Sequence, residues 1–128
     1  MNGNLFLRTS VVFLCIGIVL GLFMGATEDF TQAPTHAHIN LVAGVWMFLA
    51  GLYYNAHPHT SRKAIAIHYW LTVAGLVFFI PGIWGAQIRT PWFIPVIGIG
   101  SLLTTAQIVF FAVMVFRGTG KKASLTLS

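Results

Sequence analysis

Four long apolar stretches separated by short polar connections dominate the pattern of this chain. They run over 5–25, 34–55, 64–85 and 92–116, each close to the roughly 20 residues an α-helix needs to cross a bilayer core of about 30 Å. The pattern predicts an all-α integral membrane four-helix bundle forming a single domain. Arg8 ahead of the first stretch would also suit a signal peptide. Met24 is too large for the small-residue pattern before a cleavage point at Ala26, so a retained helix is expected. Gly17, Gly21 and Gly25 recur every fourth residue and mark a seam where another helix, from the same or another protomer, comes close. Pro34 suits the first turn of the second helix, where its missing N–H costs nothing. Pro81-Gly82 predicts a kink or stop near the end of the third. Tyr53-Tyr54 and Trp92-Phe93 read as interfacial aromatics, and the tail from Gly118 is expected to fray.

Composition and charge sharpen this picture. The chain has 128 residues, of which 57% are hydrophobic and 7% charged, and its mean hydropathy is +0.84, which excludes a soluble domain. The net charge of +5 comes from basic residues scattered at the ends of apolar runs. They form no stripe of the kind that binds nucleic acid. With the N-terminus inside, Arg8, Arg62, Lys63, Arg117, Lys121 and Lys122 fall on one side, and Arg89 with both acids, Glu28 and Asp29, falls on the other. The positive-inside rule then predicts a multi-pass protein of the inner (cytoplasmic) membrane with both termini cytoplasmic. The lone Cys15 excludes an intrachain disulfide or a cysteine-based zinc site and is expected to pack.

Chemistry concentrates in Pro34-Thr-His36-Ala-His38-Ile-Asn40, which sets polar side chains at the mouth of a membrane helix, an expensive position that usually signals function. Residues two apart on an α-helix diverge by about 200°, so His36 and His38 are expected to serve two sites rather than one, while Asn40 shares the His36 face. With the second and third helices antiparallel, His68 lies some 20 Å from His38 along the axis, too far to share an iron with it. If His38 binds iron, a second ligand level with it then comes from another protomer or a partner, or is absent. His57 and His59 flank Pro58 in a loop and are expected to face solvent. Met24, Met47 and Met114 read as apolar filler.

The run His36-Ala-His38-Ile-Asn40-Leu-Val-Ala-Gly-Val-Trp46, continuing through Gly51-Leu-Tyr-Tyr54 and into Ile67-His68-Tyr69-Trp70-Leu71, resembles the haem-bearing tenth helix and the following helix of the catalytic subunit of haem-copper oxidases. It looks most similar to the C-type cytochrome c oxidases and the nitric oxide reductases. The resemblance covers about half the chain, from Pro34 to Trp84. In that family the histidine matched by His36 ligates the high-spin haem and the one matched by His38 the low-spin haem. The chain lacks the family's copper-binding histidine trio and has four helices rather than about twelve. The resemblance therefore implies haem b without copper, held near the outer face by His36 and His38 with Asn40 and Trp46 beside it, and His68 as a further iron-ligand candidate. It implies electron transfer or the binding of nitric oxide or oxygen, with an unidentified electron donor and an oxidoreductase-like chemistry that the residues do not define. Because the large subunits have pseudo-threefold symmetry, it also implies a homo-oligomer, a trimer by analogy or a dimer about a twofold axis. Two other readings remain: a cofactor-free structural or assembly subunit, and a histidine-based metal-ion binding or transport protein.

Overall fold

The computed structural model describes residues 1–127, with side chains through residue 120. The described residues are all-α and contain four helices long and apolar enough to cross a membrane: α1 (Asn4–Thr27), α2 (Ala33–Ala56), α3 (Arg62–Gln87) and α4 (Phe93–Leu127). Continuous apolar sequence explains the form. A chain in hydrocarbon must satisfy its backbone groups internally, and a helix does so within one segment. The large exposed residues of α1 and α4, such as Val19, Leu22, Leu102 and Phe116, face outward as lipid-facing positions do. Cys15 is among the exposed residues of α1, contrary to the expectation that it packs.

Two antiparallel hairpins, α1–α2 and α3–α4, are each closed by small residues. Along α1–α2, a Cβ on Gly17 would overlap the Asn40 side chain, and one on Gly21 would lie 2.8 Å from His36 Cε1. The expected seam is thus used inside the protomer at Gly17 and Gly21, whereas Gly25 meets nothing within 4 Å. Along α3–α4 backbone meets backbone. A Cβ on Gly82 would stand 2.6 Å from Ile97 Cα, and one on Gly100 would overlap the Phe79 backbone. Without a hydrophobic force between helices in lipid, such close contact is what dispersion needs to hold them together.

A core of Phe6, Ala43, Met47, Ala50, Tyr54, Ile65, Tyr69 and Leu76 joins the hairpins. Thr9 and Tyr69 hydroxyls meet at 2.8 Å to tie α1 to α3. Pro81 neither stops nor ends α3, which continues to Gln87, and α4 runs on past Gly118 to Leu127 instead of fraying there. The middle of α2, Ile39–Trp46, is π-helical. Its wider turns begin directly after His38 and end at Trp46, a placement often associated with functional sites.

α1 ends on Glu28 in a left-handed conformation, φ 55°, and the loop beyond is organised by Asp29, whose carboxylate accepts from Thr31 Oγ1 at 2.6 Å and Thr31 N at 3.0 Å. The Thr31 hydroxyl, then the Thr31 N–H, hold the Asp29 carboxyl below its ordinary value of 3.8. A depressed carboxyl pKa contributes stability above the unfolded-state value and loses it as pH falls through the folded one. Asp29 is the chain's only aspartate, so ¹³C-aspartate labelling should give one carboxyl resonance titrating below 3.8. In Thr31→Ala the midpoint should move back up part of the way, because the backbone bond survives. A midpoint at or above 3.8 in the unmodified protein would remove this account of the loop.

Candidate functional site

The histidine turn is positioned from three sides. Pro34 occupies the first turn of α2. Gln32 Nε2 donates to Trp84 O of α3 at 3.4 Å, and Thr35 Oγ1 donates to Gln32 Oε1 at 2.6 Å, which pins the start of α2 against the end of α3. His36 N donates to Gln32 O at 2.9 Å and closes the turn.

His36 and His38 diverge as the helical spacing requires. His36 points to α1, where its Nδ1–H donates to Gly17 O at 2.8 Å. Since a carbonyl only accepts, the other nitrogen carries the lone pair, and Asn40 Nδ2 donates to His36 Nε2 at 3.2 Å. Both ring nitrogens of His36 are therefore engaged within the protomer. Asn40 Oδ1 is buried without a partner against Gly17. His38 points the other way and meets the Phe79 ring edge-on at a centroid distance of 5.3 Å. Its Nδ1–H donates to Pro34 O at 2.7 Å, which fixes the tautomer and leaves the Nε2 lone pair available. That arrangement, one ring N–H anchored on a carbonyl and the other nitrogen bare, is the one a metal-ligating histidine adopts.

His68 belongs to a separate cluster. It is fully buried, and its Nε2–H donates to Gln107 Oε1 at 2.9 Å while Tyr54 OH donates to its Nδ1 at 2.8 Å. Gln107 Oε1 also accepts from Trp46 Nε1 at 3.1 Å and lies 3.2 Å from the Thr72 hydroxyl. Phe6 and Phe111 close over the His68 ring at 5.0 and 5.1 Å. With both nitrogens saturated, His68 in this arrangement offers no lone pair to a metal. Phe79, the neighbour of His38, stands roughly 16 Å along α3 from His68 at about 1.5 Å per residue, so the two clusters are distinct.

Trp46, grouped by sequence with His36 and His38, thus lies with His68. Gln107 was not singled out from sequence, although a lone glutamine amid the apolar residues of a membrane helix was a usable signal. Nor was Tyr54, which reads as interfacial yet is buried. His57 stacks on Tyr53 at 4.1 Å and donates from Nδ1 to Tyr53 O at 2.8 Å, while His59 is exposed. Met24 and Met47 are buried. Among the described residues, no three histidine, cysteine or acidic side chains converge as a metal ion would require.

Fold and site together define a multi-pass α-helical membrane protein with two separate histidine-centred polar clusters, one in the first turns of α2 and one between α2, α3 and α4. No protein-family model, curated protein or solved structure matches the chain.

Proposed function

We propose that this chain is a haem b-binding protein of the inner membrane, with both termini cytoplasmic, in which His38 supplies an axial ligand near the outer face. The observation that carries this reading is the His38 ring, anchored through Nδ1 on Pro34 O with Nε2 unengaged beside Phe79. The similarity of the His36-Ala-His38 run to the haem-bearing helix of haem-copper oxidases supports it. Of the three histidines in the spans, only His38 fits the group without giving up an existing bond. His36 fits less well, since its Nε2 accepts from Asn40. Its role is then to hold α1 and α2 together and so orient the turn that carries His38. In a twofold homodimer, His38 of a second copy would help hold the same haem. Bound there, haem b would supply one-electron transfer when both axial positions hold histidine, or a binding position for nitric oxide or oxygen when one is open.

An absorption spectrum of the protein purified in detergent after expression with a haem precursor tests the reading. A Soret band with dithionite-sensitive α and β bands is expected. In His38→Ala this band should be lost, whereas His36→Ala should keep the band with reduced thermal stability. Absence of any Soret band would leave the cofactor-free structural subunit, a reading favoured by the complete internal bonding of His36 and His68. Loss in His36→Ala with retention in His38→Ala would reassign the ligand to His36.

A further inference from the structure

The end of the bundle carrying the starts of α1 and α3 and the close of α2 holds a different kind of site. Asn55 joins the first two helices there. Gly3 N donates to Asn55 Oδ1 at 2.9 Å, Asn55 Nδ2 donates to Asn4 Oδ1 at 2.8 Å, and Asn4 N donates to Asn2 Oδ1 at 2.9 Å. A Cβ on Gly51 would stand 2.8 Å from Gly3 O, so the backbones touch and the wall is fixed. Asn2 and Asn4 use their carboxamide oxygens as acceptors in this web, which leaves their NH₂ groups as donors.

Against this wall lies a recess of about 380 Å³ lined by Asn2, Asn4, Leu5, Arg8 and Arg62. A second recess of about 390 Å³ adjoins it and shares Asn2, Asn4 and Arg62. Two guanidinium groups from different helices thus border one concavity, and the chain's only two carboxylate side chains, Glu28 and Asp29, stand in the loop at the other end of α1. Guanidinium groups with amide donors match the oxygens of a phosphate, which they bind by paired, charge-assisted hydrogen bonds. The apolar surface continues from the rim. Leu5, Val12, Ile16 and Val19 are exposed at spacings that put them on one face of α1, leading from the recess toward the bilayer centre.

We propose that the recess between Arg8 and Arg62 binds the headgroup phosphate of an anionic phospholipid, with the acyl chains lying along Leu5, Val12, Ile16 and Val19. The apolar stripe beginning at the recess selects a lipid over a free phosphate. The inference rests on α1 spanning the membrane and is independent of haem binding.

Native mass spectrometry of the full chain in detergent, titrated with phosphatidylglycerol or phosphatidylcholine, tests it. Phosphatidylglycerol is expected to bind in preference. R8Q/R62Q should weaken it by about thirtyfold, as two basic groups beside an anionic headgroup would, while R117Q should leave it within about twofold. If the double variant loses helix content by circular dichroism, R8Q and R62Q carry the test singly, each with an expected loss of about fivefold. Equal losses in R117Q, or equal binding of both lipids, would show only general attraction of a basic end and overturn the site. Complete displacement of phosphatidylglycerol by inorganic phosphate would likewise overturn the lipid assignment in favour of a free-anion site.

Discussion

Replacing Gly100 with alanine is expected to destabilise the protein by about 3 kcal/mol, at the upper end of what one added methyl group costs in a packed interface. The added Cβ would overlap the Phe79 backbone nitrogen and Cα, and backbone atoms in a helix cannot swing aside as a side chain can. α3 and α4 must separate, and the interface that holds the second hairpin is lost along its length. Gly98 on the same helix is the internal control. A Cβ there meets nothing within 4 Å, so Gly98→Ala should be neutral or stabilising by up to about 1 kcal/mol, since alanine favours helix over glycine. Thermal unfolding in one detergent, followed by circular dichroism, separates the two. Similar melting temperatures for both variants would mean that the α3–α4 backbones do not meet at this point. Because Phe79 also contacts His38, Gly100→Ala should disturb any spectrum that depends on the orientation of His38.

The second large effect is expected at Gln107. Its Oε1 accepts from Trp46 Nε1 and His68 Nε2 and lies within reach of the Thr72 hydroxyl. Leucine there would take the acceptor away from the indole and imidazole N–H groups, the latter on the fully buried His68. A buried donor left unpaired costs about 1–3 kcal/mol, so the variant should lose about 2–4 kcal/mol. Hydrogen bonds between membrane helices average nearer 0.6 kcal/mol when their reference state finds other partners. The expectation lies above that average because the variant would leave the His68 donor unpaired inside the folded protein, beneath Phe6 and Phe111. His68→Phe removes one of the stranded donors, so His68→Phe/Gln107→Leu should cost less than the sum of the single changes. Strict additivity would show that the pair does not act as one network.

The number of helices and their limits were legible because a helix in lipid is written locally, in a run of apolar residues of the right length. Helix boundaries fall within two residues of the hydrophobic limits except at the end of α4, where basic residues end the apolar run without ending the helix. The divergence of His36 and His38 was also legible, because 3.6 residues per turn fixes azimuth whatever the neighbours are. That α3 runs on past Pro81 to Gln87 was not legible, because a proline marks where a helix can bend or stop and sequence spacing carries no information about the close approach of Gly82 to Ile97.

By itself, the sequence determined an all-α membrane bundle, the opposite directions in which His36 and His38 leave α2, and the separation of His38 from His68 along the axis. Only the tertiary structure decided which ring nitrogens are in use. Gly17 O engages His36 from another helix, Pro34 O fixes His38 from its own, and Gln107 reaches His68 across 39 positions of sequence. Such partners are set by how helices face one another, and in lipid that facing depends on where small residues let backbones touch, not on the apolar pattern that makes the helices.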